Sequence, residues 1–136
     1  MMTTRIVETG ERILSVLGYP DVTVCVGLID DREIAKLHQQ WFGDPSPTNV
    51  ISLEYDLDES GLGLLGEIYV SVEFAAREAA AAGVPLDYRV AWLMMHGLLH
   101  ICGYEHVDVP ADEVRRMEHM EEQLDRDWLA PLWGIL

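Results

Sequence analysis

Three histidines, His96, His100 and His106, fall within eleven residues of this sequence, in the segment HGLLHICGYEH. His96 and His100 are four positions apart, so they would lie one turn apart on the same face of a helix. Gly103 can end that helix in a left-handed conformation, which lets the chain double back and bring His106 toward the other two imidazoles. Three imidazoles around an open fourth position are the ligand set of a catalytic zinc site. The segment therefore predicts a metal centre.

A metal ion held in this way would suit hydrolysis. Neutral imidazoles leave the cation its full charge, so water can be activated near neutral pH and a carbonyl or phosphoryl oxygen can be polarised. We expect one Zn²⁺ per chain, and the same ligands also accept other divalent metals such as nickel, copper or iron. From the ligand set alone, both an amide and a phosphodiester remain open as substrates.

The spacing of the histidines is also that of the metzincin zinc proteases, with one difference. Those enzymes have a glutamate directly after the first histidine, and this chain has Gly97 there. A peptidase needs that carboxylate to take the proton of the attacking water and pass it to the leaving amine. The sequence thus favours a phosphodiester over a peptide as the substrate.

Helices alternate with three strands along the chain. Helical patterns cover residues 4–17, 30–41, 72–83, 85–102 and 110–130, and strand patterns cover residues 22–29, 49–55 and 64–72. The segment from Val90 to Cys102 is apolar nearly all round, so the helix with the histidines should be the central buried element. The strands in the 50s and 60s can pair as a hairpin. We therefore expect one α+β domain over residues 1–136, with a small mixed sheet packed against several helices.

The second helix has a clear start. Asp30 and Glu33 form a capping-box pair. Three apolar residues at helical spacing are expected to face the core: Ile34, Leu37 and Trp41. His38 lies beside this apolar stripe, and we expect it at the surface or the boundary of the core and not in a metal site.

Charge and targeting patterns exclude several classes of protein. A net charge of −15 argues against non-specific binding to nucleic acid, because neutralisation of phosphates supplies most of that affinity. A phosphate-handling role would need a local positive charge, for which a bound divalent metal is the best candidate. The N-terminus has no apolar signal segment, the longest uncharged run is too short to span a bilayer, and the two cysteines show no framework pattern. We expect a cytoplasmic protein without a membrane segment.

The histidine segment resembles the signature H-G-x-L-H-L-x-G-Y-D-H of the YbeY family, bacterial single-domain metalloproteins involved in ribosomal RNA maturation. Two further segments are similar to segments of this family: PTNVISLEY to P-T-N-V-L-S-F, and LLGEIYVS to L-G-D-I-x-I-S. Because their order and separation also match, the similarity covers most of the chain from Ile29 onward.

The resemblance implies a zinc-dependent endoribonuclease that acts on the ends of 16S ribosomal RNA and in ribosome quality control, with ribosomal RNA and ribosomal or assembly proteins as partners. By motif position, His96, His100 and His106 would be the metal ligands, and His96 would also be essential for catalysis. The resemblance places three short polar residues along the nearby strand edge: Thr48, Asn49 and Ser52. Each could support the site or contact the substrate. An equally good explanation is that each hydrogen-bonds the nearby backbone in a turn or at the start of a strand.

Two positions depart from the family pattern. Phe42 stands where the family often has an arginine that contacts RNA phosphate, and Leu53 stands where the family has an aromatic residue. A phenyl ring can stack on a base but cannot neutralise a phosphate. Two other functions therefore stay open, a zinc hydrolase of another substrate class and a ribosome-assembly factor with a structural metal and weak catalysis. The sequence does not predict the oligomeric state.

Overall fold

A three-stranded sheet in the order β1–β3–β2 lies within residues 2–55, 63–105 and 107–135, which are the residues described by the computed structural model. The strands are β1 (Thr23–Ile29), β2 (Val50–Glu54) and β3 (Leu64–Ser71). β1 runs parallel to β3, and β2 pairs with β3 in the antiparallel direction. The mixed sheet and the pairing of the strands in the 50s and 60s are as the sequence predicts.

Five α-helices surround this sheet within the described residues. They are α1 (Met2–Val16), α2 (Asp31–Phe42), α3 (Val72–Ala82), α4 (Leu86–Ile101) and α5 (Ala111–Leu124). The final helix was expected to continue to residue 130. The regular α-helix instead ends at Leu124, and a π-helical turn (Asp125–Leu129) and a 3₁₀ turn (Ala130–Trp133) follow. None of the described helices is both long and apolar enough to cross a membrane.

α4 is the central helix, as its apolar composition predicts. It packs against β2 and β3 on one side and against α1 and α3 on others. Met95, Leu98 and Leu99 are at most 1% exposed. β3 lies very close to this helix, because a Cβ atom at Gly66 would lie 2.7 Å from Ile101 Cδ1 of the helix. The same Cβ atom would lie 2.5 Å from the Leu53 carbonyl oxygen on the neighbouring strand β2. Only glycine fits at this position.

α2 begins as predicted but is less buried than expected. The Asp30 side chain accepts a hydrogen bond from the Glu33 amide at 2.8 Å, which completes the capping box, and the helix ends at Gly43 with φ of 72°. Ile34 is buried, but Trp41 is 52% exposed, so its placement in the core was wrong. Helical spacing predicts the face of the helix on which a side chain lies, but it does not predict how far the core extends along the helix. The last turn of α2 is exposed to solvent.

The starts of α2 and α3 are joined by a polar cluster. Ser71 caps α3 by accepting a hydrogen bond from the Phe74 amide at 3.1 Å, and its hydroxyl donates to Asp31 Oδ1 at 2.7 Å. Arg77 Nη1 lies 2.8 Å from Asp31 Oδ2. These contacts fix α2, and with it one wall of the cleft described next, relative to the sheet.

Candidate metal site and active-site cleft

His96 and His100 lie on one face of α4 and approach each other closely. Their Nε2 atoms are 3.2 Å apart, and their rings are nearly perpendicular, at 84°. Two imidazole ligands of a tetrahedral zinc ion, with bonds of about 2.0–2.1 Å, have nitrogens about 3.3–3.4 Å apart. The spacing of the two Nε2 atoms therefore fits a shared cation. Residue 106, the third predicted ligand, lies outside the described residues.

Among the residues that the structure describes, no three histidine, cysteine or acidic side chains form a metal-binding group. The two helical histidines alone are thus a partial ligand set, and two nitrogens do not hold a catalytic zinc ion by themselves. Gly103, with φ of 97°, does adopt the left-handed conformation that the sequence predicts after this helix.

A carboxylate stands behind each of these histidines. His96 Nδ1 is 2.8 Å from Glu121 Oε2 on α5, and His100 Nδ1 is 3.4 Å from Glu105 Oε2. A carboxylate accepts a hydrogen bond from Nδ1–H, so the lone pair of the neutral ring is then on Nε2. Carboxylates in this position orient metal-binding histidines and make them more basic. For His96 the contact is a hydrogen bond, whereas for His100 it is a longer contact with a carboxylate that is 45% exposed.

The ring of His96 is also held by its own helix. Trp92, one turn earlier on α4, stacks on His96 with the ring centroids 5.6 Å apart and the planes at 15°. The Arg89 guanidinium lies 4.9 Å from the centroid of the Trp92 ring, and Arg89 also pairs with Glu78 at 3.3 Å. Together with Glu121, the indole leaves His96 little freedom to rotate.

The predicted site residues line one cleft of about 480 Å³. His96 and His100 form part of its lining, and so do all three polar residues of the β2 edge: Thr48, Asn49 and Ser52. The structure thus brings together all the predicted site residues that it describes.

Asn49 has structural contacts of its own. Its side-chain oxygen accepts a hydrogen bond from the Val50 amide at 2.8 Å, and its Nδ2 donates to Glu78 Oε1 at 3.3 Å. Glu78 also pairs with Arg89, whose guanidinium lies over the Trp92 ring that stacks on His96. Asn49 at the strand edge is thus connected to the residues that hold the His96 ring. Asn49 therefore stabilises the start of β2 through the hydrogen bond from the Val50 amide, and it also lines the cleft.

The cleft is acidic apart from its histidines. Glu54 and Glu105 are among its lining residues, and none of its described lining residues is a lysine or an arginine. Burial raises the pKa of the Glu54 carboxyl, and the negative charge of Glu105 raises that pKa further. A cation in the cleft would reduce this repulsion between the carboxylates.

Gly97 faces away from the cleft. A Cβ atom at this position would lie 3.1 Å from Ile68 Cδ1 on β3, which is a tight contact inside the core. A glutamate here would point into the sheet and could not reach the cleft. The glycine thus serves close packing of helix and sheet, in addition to marking the absence of the protease base.

Sequence reasoning missed two features of this site. The contact of Glu121 with His96 was not foreseen, because the sequence pattern of the last helix does not connect it to the histidine segment. His38 is half-buried, as its boundary placement implies, but it also lines the cleft. Its Nδ1 atom lies 2.7 Å from the Ser46 carbonyl oxygen. The apolar periodicity of α2 gave no sign that this histidine would border the site.

Comparison with known proteins identifies relatives along nearly the whole chain. A family model described as endoribonuclease YbeY matches residues 2–128. A protein of Geobacter metallireducens named endoribonuclease YbeY is 39% identical over 125 residues, which cover 90% of this chain and 83% of that protein. A protein of the same name from Mycobacterium tuberculosis is 36% identical over 128 residues, covering 85% of this chain and 71% of the relative.

A solved structure shares the fold. The solution structure of a Thermotoga maritima protein superposes with a TM-score of 0.62 and 24% sequence identity, over 93% of this chain and 83% of that one. At this identity the likeness supports the α+β architecture alone.

Proposed function

We infer the activity of this chain from its family membership: the chain belongs to the endoribonuclease YbeY family, and it is an enzyme of the hydrolase class that cleaves RNA internally. We propose that its role is ribosomal RNA processing in ribosome maturation, and that residues 1–136 form a single metal-dependent endoribonuclease domain. The single observation that supports the metal site is the pair of Nε2 atoms 3.2 Å apart, with a carboxylate behind each ring.

The metal is proposed to be zinc, one ion per chain, held by His96, His100 and His106. An imidazole donor set suits zinc, and it also accepts nickel, copper or iron. When bound, such a cation would supply a Lewis acid for the scissile phosphate and would activate a nucleophile near neutral pH.

The side chains of the cleft would complete the site. Glu121 and Trp92 hold the His96 ring in place, so its Nε2 atom keeps one direction through the reaction. Thr48 and Ser52 line the same cleft at the β2 edge, and we propose that their hydroxyl groups hydrogen-bond the RNA backbone. His96 is the residue that we propose to be essential for catalysis.

The substrate and partners follow from the same role. We propose that the chain acts on the ends of 16S ribosomal RNA, in contact with ribosomal or assembly proteins, which would place it in the cytoplasm. Partner proteins would also help an acidic chain to reach an acidic RNA, since a net charge of −15 opposes encounter with free RNA.

Cleavage of a precursor ribosomal RNA by the purified protein tests this proposal. We expect cleavage by the wild type that chelator abolishes, none by His96→Ala, and full cleavage by His119→Ala, which changes an exposed histidine of α5. The chemistry of the new ends distinguishes attack by water from attack by a ribose 2′-hydroxyl, because only the latter leaves a cyclic phosphate. Equal cleavage by folded His96→Ala protein would refute the proposed site, and metal-dependent cleavage of peptides alone would refute the proposed function.

A further inference from the structure

Phe42 is an exposed aromatic residue on the wall of the active-site cleft. It ends α2, lines the cleft together with His96 and His100, and is 60% exposed. An exposed aromatic ring on the wall of a cleft offers a flat face on which a nucleic-acid base can stack. We propose that Phe42 stacks on a base of the RNA strand, and that this contact, more than neutralisation of phosphates, holds the substrate in the cleft. The inference rests on the proposed endoribonuclease function.

The cleft lacks the side chains that usually bind an RNA backbone. Its described lining residues include two carboxylates, Glu54 and Glu105, and neither a lysine nor an arginine. The residues outside the description, 1, 56–62, 106 and 136, contain no lysine or arginine either. Phosphate contacts by basic side chains dominate the affinity of most proteins for nucleic acid. In this cleft the affinity has to come from other contacts.

Basic residues elsewhere on the chain are largely engaged with carboxylates. Five of the nine form ion pairs with carboxylates of described residues: Arg77, Arg89, Arg115, Arg116 and Arg126. The net charge of −15 also opposes the approach of a long RNA to the chain. Stacking on an aromatic ring needs no positive charge, because every base has a π face.

The ring of Phe42 is held in place before any ligand arrives. The His38 ring contacts it edge-on, with centroids 5.8 Å apart and planes at 62°. His38 is itself fixed by the Ser46 carbonyl oxygen, 2.7 Å from its Nδ1 atom. The loop around Ser46 is closed by Asp44, whose Oδ1 accepts hydrogen bonds from the Ser46 amide at 2.9 Å and from its hydroxyl at 2.6 Å. A ring that is already oriented loses little entropy when a base stacks on it.

The neighbouring residue provides a matched control. Trp41 is 52% exposed on the same last turn of α2, but it is not among the residues that line the cleft. A general effect of surface aromatic residues on RNA binding would appear at both positions. An effect of stacking in the cleft would appear at Phe42 alone.

Binding of a single-stranded oligoribonucleotide that carries 2-aminopurine tests the inference with the full chain, since stacking quenches this fluorescent base. Stopped-flow mixing separates binding from cleavage. We expect quenching by the wild type and by Phe42→Trp, and loss of the quenching with about 5- to 150-fold weaker binding in Phe42→Leu. Trp41→Leu should behave as the wild type. Metal content and thermal stability of each variant are measured alongside, because the substitution should change neither.

Salt dependence gives a second, independent measure. With few phosphate contacts, the affinity of the wild type should change with salt by a slope smaller than about 1 on a log–log plot, and Phe42→Arg should steepen it by about 0.7, the value for one new contact with a single strand. A steep slope for the wild type, or unchanged binding and quenching in Phe42→Leu, would overturn this inference while cleavage by the wild type leaves the proposed function intact. Failure of the wild type to cleave RNA would overturn both.

Discussion

His96 Nδ1 lies 2.8 Å from Glu121 Oε2, so the last regular helix supplies a carboxylate to a histidine on the central helix. Both side chains are largely buried, with 18% of His96 and 12% of Glu121 exposed. The contact joins α4 to α5 across 25 residues of sequence. It makes Glu121 the residue that orients the proposed metal ligand from behind.

Substitution of Glu121 should therefore weaken metal binding. We expect Glu121→Gln to lower the affinity for zinc about 10- to 100-fold, because a neutral amide holds the His96 ring in its orientation less firmly than a carboxylate does. Competition with a chromophoric chelator measures the affinity directly. The control is Glu122→Gln, the adjacent acidic residue on the same helix, which should bind zinc as the wild type does. Unchanged zinc affinity in Glu121→Gln would show that the carboxylate does not support the site.

Gly97 predicts a packing effect that is separate from catalysis. A methyl group at this position meets Ile68 Cδ1 at 3.1 Å, and such overpacking costs about 1–3 kcal/mol, while the better helix propensity of alanine returns up to about 1 kcal/mol. We expect Gly97→Ala to lower the free energy of unfolding by about 1–2 kcal/mol in urea titrations.

The partner substitution tests this explanation. Ile68→Ala removes the three atoms, Cδ1, Cγ1 and Cγ2, that the new methyl group would contact. The double variant should then lose less stability than the sum of the two single variants. Simple additivity of the two losses would mean that the contact with Ile68 is not the cause. In either background, Gly97→Glu should confer no peptidase activity, because the side chain would point into the sheet.

Asp31 predicts a specific pH dependence of stability. The hydrogen bond from Arg77 lowers the pKa of this carboxyl below its ordinary value of 3.8, and the hydrogen bond from Ser71 lowers it further. Because the pKa in the folded state is below that of the unfolded chain, the stabilisation is fully present above about pH 4 and is lost as the pH falls through the folded value.

The difference in unfolding free energy between the wild type and Asp31→Asn should thus be constant from pH 7 to pH 5 and shrink below pH 4. Urea titrations at several pH values measure it. In an Arg77→Met background the same substitution should show much less pH dependence, because the main cause of the pKa shift is gone. A difference that grows toward acid would have the wrong sign for this ion pair.

Much of the fold could be predicted from local patterns. The capping box of Asp30 and Glu33 marks the start of α2, and the apolar run after Val90 identifies the buried helix, since both signals are contained in a few neighbouring residues. The exposure of Trp41 could not be predicted in this way, because it depends on where the core ends and not on the period of the helix.

The close approach of His96 and His100 could be predicted from the sequence, but the residues that hold their rings could not. His96 and His100 share a helix, so their spacing alone brings their rings together. The partner of His96 comes from a helix with several glutamates, and local sequence does not tell which of them faces α4. Only the packing of α5 on α4 selects Glu121. The same applies to Phe42, whose position on the cleft wall depends on how α2 lies beside β2.

We propose that a metal ion held by His96, His100 and His106 is needed for cleavage of RNA. Metal content and ribosomal RNA cleavage, measured on one preparation before chelation, after chelation and after zinc is returned, test it most directly. We predict about one metal ion per chain at the start, loss of cleavage in step with loss of metal, and recovery of both on return of zinc. Undiminished cleavage by folded protein that holds less than about a tenth of a metal ion per chain would contradict the claim.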